Sequence, residues 1–377
     1  MRSDRASGRL AERVARRKSE ILAGITLHEP QSVPATVRVC PIEERSVHEI
    51  ATLEVAGSSA VACYFAKATV PGYAGSQDLA AESRILADLG PRMAALNRKT
   101  RCPAVIAFFP EEKLLIEEFV RGQTLKALLF DFPPPHADLG RLLSLSGEWL
   151  ANFHRSTQRG YANPLDWLWG EIHSRQLTDA FRRCSIPELY PVVVQLLRHF
   201  RQQYPNLYRP LCQVHGEFTP LHIMVQNEDL YVIDFGSSHR GFPCEDLARF
   251  STFYEGLLPW RGAIALLRFP VARQINVFLE SYAAHAGFLA NLEDDVVNRF
   301  ARLCAMAHQQ LCWEREPRSY REKGPLKIRQ IWTRRRFASL ARRELTHLQQ
   351  LADDDQGSTG LVSQFPVAIG ADTPLSE

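Results

Sequence analysis

Apolar positions in this chain fall into short strand-like runs near the start and longer helical stripes afterwards. Branched and aromatic residues bounded by polar turns predict strands over 37–40, 47–55 and 60–68. A further apolar run, Leu114, Leu115 and Ile116, predicts a strand leading into 118–120. Between them, Leu79, Leu86 and Leu89 share a helical face over 76–89, and Gly90 with Pro91 is expected to end that helix. A long helix is predicted over 139–157. Two apolar stretches within 223–233 flank the polar turn Asn227, Glu228 and Asp229, which reads as a hairpin. Helices follow over 271–285 and 293–312. A basic helix over 327–351 carries apolar spacing at Ile328, Ile331, Trp332, Phe337, Leu340 and Leu345. An Arg-rich helix is expected over 11–23, and the polar tail from 353 reads as disordered.

Length and composition set the scale. A chain of 377 residues with 45% hydrophobic content can bury a large core and suits two lobes plus extensions. The formal charge of +3 implies neither a nucleic acid nor an acidic partner. Eight cysteines are scattered without CxxC pairs, which points to a reducing cytoplasm and no structural zinc. No run of about eighteen apolar residues predicts a membrane span. The charged N-terminus does not read as a secretory peptide.

The chemistry concentrates in two short segments. His215, Gly216 and Glu217 are followed five positions later by His222. Eleven residues of hairpin, ending in Val232 and Ile233, then lead to Asp234, Phe235 and Gly236. The hairpin brings Glu217 and Asp234 to one cleft. This pattern resembles the catalytic and metal-binding loops of kinase-fold small-molecule phosphotransferases, the aminoglycoside phosphotransferase and choline kinase-like family, with some likeness to lipopolysaccharide core sugar kinases. Family loops carry Asp where Glu217 stands and Asn where His222 stands. Some bacterial phosphotransferase-like sequences do read His-Gly-Glu, and lipopolysaccharide core sugar kinases place His at the Asn position.

The resemblance extends upstream and downstream. Lys67, near the end of the 60–68 strand, matches the phosphate-pairing lysine, and Glu82 matches its glutamate partner. The 114–125 segment resembles the hinge, where backbone groups near Glu118 and Val120 would hold the base. Pro243 through Ala248 matches a Pro-x-x-Asp-Leu-Ala segment in which Asp246 would brace the catalytic loop, as would His215. His154 reads as a packed structural histidine, and Trp167 and Trp169 as core or as a sugar platform. One element departs: the turn at 41–46, where a Gly-rich phosphate loop is usual, has no glycine and carries Glu43 and Glu44.

The resemblance implies an α+β, bilobal protein-kinase-like fold: a helical extension at 1–30, a small antiparallel-sheet lobe at 31–120, a mainly helical lobe at 121–352 and a tail at 353–377. It implies ATP or another NTP with Mg or Mn as cofactors, with Asp234 and His222 as metal ligands and Glu217 as the catalytic group. The expected acceptor is the hydroxyl of a sugar, aminosugar or lipid-linked saccharide, since no Ala-Pro-Glu activation segment follows Ala248. A catalytically impaired pseudokinase that serves as a binding module is the alternative. The basic helix at 327–351 could contact anionic membrane or phosphorylated glycan. No nucleic acid partner is expected.

Overall fold

The computed structural model describes residues 2–28, 36–44, 48–56, 61–70, 78–131, 136–174, 178, 181, 188–257, 271–287, 295–315 and 338–353. In chain order the principal elements are α1 (Arg2–Arg16), α2 (Lys18–His28), β1 (Thr36–Glu44), β2 (His48–Ala56), β3 (Val61–Thr69), α3 (Leu79–Leu96), β4 (Thr100–Arg101), β5 (Val105–Phe109), β6 (Leu114–Glu118), β7 (Gln123–Thr124) and α4 (His136–Ser156). There follow α5 (Pro164–His173), α6 (Leu189–Gln203), β8 (Ile223–Gln226), β9 (Asp229–Val232), α7 (Pro243–Leu257), α8 (Val271–Ala286) and α9 (Asp295–Arg315). Residues 338–353 are also helical. The chain forms two compact units: Met1–Thr157 with Gln213–Arg240 and Glu280–Ala286, and the remainder.

The first unit is built on a five-stranded sheet in the order β1-β2-β3-β6-β5, each neighbouring pair antiparallel. Leu10, Val14, Ile21 and Ile25 of α1 and α2 bury against Leu53, Val55, Tyr64 and Ile116 of this sheet. One helix was expected at 11–23; the structure has two, broken at Arg17. Arg17 falls between Val14 and Ile21 in the apolar stripe, and the break turns its guanidinium to the Glu112 and Glu20 carboxylates. Two further boundaries differ from expectation. The 41–46 turn is mostly strand, because β1 runs on to Glu44 through a register shift between Pro41 and Glu43. Proline offers no N–H to the ladder, and a bulge accommodates it. Helix α3 also passes through Gly90 and Pro91 to Leu96. The buried Leu89 and Met93 continue its stripe past the proline, so packing outweighs the lost hydrogen bond.

The first unit also holds an aromatic cluster. Trp149 of α4 stacks on Phe218 with ring centroids 5.7 Å apart, and Phe153 meets Phe235 edge-on at 6.0 Å. These contacts seat the 215–218 and 234–236 segments on α4. His154, fully buried, meets the Tyr282 hydroxyl at 3.1 Å, which is the packed structural role expected of it. The predicted hairpin is β8 and β9, antiparallel, with Asn227 and Glu228 both at positive φ in its two-residue turn.

The second unit is helical. Helices α5, α6, α7, α9 and residues 338–353 share a core that includes Leu168, Leu197, Phe200, Phe242, Phe300, Leu345 and Leu348. Trp167 and Trp169 pack against this core. The Asn163 side chain accepts from the Leu165 N–H and caps α5. Of the basic helix expected at 327–351, residues 327–337 lie outside the described residues, as does the tail from 354. No described helix is long and apolar enough to cross a membrane.

Candidate active site

Strand β3 presents Lys67 to two carboxylates of the first unit. Its Nζ lies 2.9 Å from Glu82 Oε2 on α3 and 2.6 Å from Asp234 Oδ1. Glu82 Oε1 also accepts the Phe235 N–H at 3.0 Å, so one buried carboxylate ties the lysine to the 234–236 turn. Asp234 is 24% exposed and sits at φ 67°, ψ 68°. Non-glycine residues adopt that left-handed conformation at a cost, and such strain concentrates at functional sites.

The 215–222 loop is fixed from within. A side chain at Gly216 (φ 83°) would stand 2.3 Å from the Ser237 carbonyl oxygen, so only glycine fits. His215 is buried, with Nε2 3.0 Å from the Ile233 carbonyl, and its Nδ1 accepts from the Glu217 N–H at 3.3 Å. The Glu217 carboxylate accepts from the Ser237 hydroxyl at 3.2 Å. His222 Nδ1 lies 2.7 Å from the Glu217 carbonyl oxygen, which can only accept, so Nδ1 carries the proton. That leaves Nε2 facing Asp234 Oδ2 at 3.7 Å. A ligand histidine held by its other nitrogen on a backbone carbonyl is the arrangement that metal sites favour. One ligand atom from each of Glu217, His222 and Asp234 lies within 4.8 Å of the other two. Two carboxylates and one imidazole fit a divalent cation, and the imidazole suits manganese and later metals better than magnesium. The sequence reading had His222 and Asp234 as metal ligands and Glu217 as the catalytic group; the three side chains lie together.

Burial and charge compete here. Burial would raise the Asp234 carboxyl, but the Lys67 ammonium overrides it and holds the group well below the usual carboxylate range. Burial would lower Lys67, but Asp234 and Glu82 keep it above its ordinary value. Burial raises Glu82 against the pull of Lys67. Glu117, which the sequence analysis did not single out, joins the same cluster, and burial pushes it up to about 8. A signal existed: in a strand, successive side chains point to opposite faces, so one of two consecutive glutamates had to face inward. Ser237 was missed too, and nothing in its sequence context marked it.

Glu118 ends β6, and Val120 follows it. The Glu118 N–H donates to the Ala104 carbonyl at 2.9 Å, its carboxylate accepts from the Ala104 N–H at 3.2 Å, and Val120 is buried. Asp246 is fully buried in the first turn of α7, in the second unit.

The sequence model of a family described as "Phosphotransferase enzyme family" matches residues 64–288, more than half of the chain. The chain belongs to that phosphotransferase family. The matched stretch contains Lys67, Glu82, Glu217, His222, Asp234 and Asp246. No curated protein sequence matches. Plasmodium vivax ethanolamine kinase superposes with a TM-score of 0.50 at 14% identity, covering 85% of each chain. A thermostable mutant of aminoglycoside phosphotransferase APH(4)-Ia gives 0.50 at 14% identity over 85% of this chain and 98% of that one. Glucosamine kinase in complex with glucosamine, ADP and inorganic phosphate gives 0.50 at 15% over 83% and 84%. These likenesses establish a kinase-like α+β fold for this phosphotransferase.

Proposed function

We propose that this chain transfers the terminal phosphoryl group of a nucleoside triphosphate to a hydroxyl of a small molecule or glycan, of the sugar, aminosugar or lipid-linked saccharide class. The observation that carries the reading is the convergence of Lys67, Glu82 and Asp234 beside Glu217 and His222. Phosphoryl transfer asks the protein for position and charge neutralisation more than for covalent chemistry. Lys67, steadied by Glu82, would exchange its contact with Asp234 for nucleotide phosphates. Asp234 and His222 would hold the divalent cation, Mg or Mn, which when bound neutralises charge on the phosphates. The base would meet backbone groups near Glu118 and Val120. His215 supports the loop from beneath.

Glu217 would orient the acceptor hydroxyl and take its proton. Its carboxylate reaches one methylene further than an aspartate. The Ser237 hydroxyl restrains the extra rotatable bond by donating to it. The absence of an activation segment after Ala248, where α7 continues instead, favours a small acceptor over a protein one.

The test is single-turnover transfer from labelled nucleotide with Mg or Mn, across glucosamine, ethanolamine, choline and aminoglycoside acceptors and water. Glu217→Gln should leave nucleotide affinity nearly constant and slow transfer roughly a hundredfold or more. A second reading, the non-catalytic binding module, draws on Glu217 and His222 standing where the family has Asp and Asn. It predicts no transfer by the wild type and a gain of hydrolysis in Glu217→Asp.

A further inference from the structure

Glu117 is a buried carboxyl that the transfer reading leaves without a task. It is 6% exposed, and its carboxyl belongs to the cluster of Lys67, Glu82 and Asp234. Its neighbour Glu118 is held by Ala104 through both its N–H and its carboxylate. Glu117 therefore points to the opposite face of β6, toward the Lys67 cluster.

That face is the one that bears Lys67. In the β3–β6 ladder Lys67 pairs with Leu115 and Phe65 pairs with Glu117. Side chains of directly opposed residues, and of residues two apart, share a face. Lys67 and Phe65 are thus about 7 Å apart along one face, with Glu117 opposite Phe65. A nucleotide with its phosphates at Lys67 and its base at 118–120 must cross the Phe65–Glu117 rung. The rung offers it an aromatic ring and a carboxyl.

We propose that Glu117 selects the base: its carboxyl makes a paired donor–acceptor contact with the N6/N7 edge of adenine and disfavours guanine. The inference rests on the nucleotide reading above and deepens it, by naming an adenine nucleotide as the phosphoryl donor. A neutral carboxyl carries one donor beside one acceptor. Adenine offers a donor at N6 beside an acceptor at N7; guanine offers two acceptors, O6 and N7. Adenine can satisfy both carboxyl oxygens. Guanine leaves the carbonyl oxygen facing O6, both of them acceptors. The surroundings keep the proton in place: burial raises the Glu117 carboxyl to about 8, Glu82, Asp234 and Glu118 push the same way, and Lys67 opposes.

The experiment is calorimetric binding of ATP, GTP and 7-deaza-ATP, which lacks the N7 acceptor, to the full chain at neutral pH with Mg. Wild type should bind ATP roughly tenfold more tightly than either competitor, the scale of one or two hydrogen bonds. Glu117→Gln keeps a donor beside an acceptor and should keep the preference. Glu117→Leu should bind ATP and 7-deaza-ATP equally and lose most of the discrimination against GTP. Equal binding of ATP and 7-deaza-ATP by wild type overturns the proposal without any variant, as does an unchanged ATP:GTP ratio in Glu117→Leu. A wild type that binds none of the three nucleotides overturns the donor reading and the base contact together.

Discussion

Two clusters of charge, one in each unit, both join carboxyls to cations, and they differ in composition. In the second unit, Arg299, Arg302 and Arg343 surround Glu344 and Glu255. Glu344 Oε2 accepts from Arg299 at 2.7 Å, its Oε1 accepts from Arg302 at 3.1 Å and Arg343 at 3.2 Å, and Arg302 reaches Glu255 at 2.8 Å. Burial opposes ionisation of Glu344, yet Arg302 and its companions hold the carboxyl below its ordinary value. In the first unit the proportions reverse. One ammonium, Lys67, faces the carboxyls of Asp234, Glu82 and Glu117. Removing charge from water is costly, and the cost is offset only where partners match. In the arginine cluster each carboxylate is paired with guanidinium groups of the same unit. The lysine cluster has more acid than base, and a cation with its phosphates would complete it. A buried surplus of acid, more than buried charge as such, separates a site from a strut.

The strongest way to break this contrast is Asp234→Asn. If the surplus carboxylate holds the metal, turnover should fall roughly a thousandfold or more, and metal-dependent nucleotide binding should disappear. The fold should survive, because Lys67 keeps Glu82. A variant that binds nucleotide with the wild-type metal dependence would reduce the lysine cluster to another strut. The reciprocal change is Glu344→Ala, which strands up to three guanidinium groups. Stability to denaturant should drop by about 3–5 kcal/mol, while the nucleotide affinity of the folded fraction stays the same. Loss of affinity without loss of stability would make the arginine cluster functional and dissolve the distinction.

The sequence showed the acid–base content of the first cluster better than its shape. Lys67, Glu82 and Asp234 were legible because each sits in a short segment with its own pattern, and α3 and the 223–233 hairpin were legible from periodicity. The family itself was legible from 215–248. Boundaries set by packing were not: α3 outlasts Pro91 because Leu89 and Met93 are buried, and β1 outlasts Pro41 through a bulge. Glu117 and Ser237 were hidden because their roles depend on which strand face and which loop they meet, information that lives in long-range pairing. The arginine cluster was invisible for the same reason, since Glu255, Arg299 and Glu344 lie far apart in the chain.

Glu117 sharpens the contrast through pH. Its folded-state value, about 8, lies above that of an unfolded glutamate, so the folded protein binds the extra proton between about pH 4.5 and 8. Its contribution to stability is complete below that window and is lost as pH rises through it. Glu117→Gln removes the titration and leaves Lys67, Glu82, Asp234 and Glu118 unchanged. The variant should gain on wild type by on the order of 1–2 kcal/mol in thermal unfolding between pH 6 and 8. Parallel wild-type and variant curves would mean that the carboxyl is ionised throughout and that Lys67 offsets it fully.

The finest test concerns His222, where the surplus of acid meets a nitrogen. Backbone bonds fix this residue independently of its side chain: its N–H donates to the Thr219 carbonyl at 2.9 Å, and its carbonyl accepts from the Ile233 N–H at 2.9 Å. Substitution should therefore alter the ligand atom and little else. With Nδ1 donating to the Glu217 carbonyl, Nε2 is the atom that faces Asp234. A nitrogen ligand favours manganese over magnesium relative to an amide oxygen. Wild type should thus bind manganese more tightly than magnesium, and His222→Asn should narrow that ratio several-fold, roughly 1 kcal/mol. Loss of the free-manganese paramagnetic resonance signal on binding, with and without nucleotide and with magnesium as competitor, measures the ratio without reference to turnover. An identical ratio in both proteins would remove His222 from the ligand set. The cation would then rest on Asp234, and the imidazole would serve only to hold the Glu217 carbonyl in place.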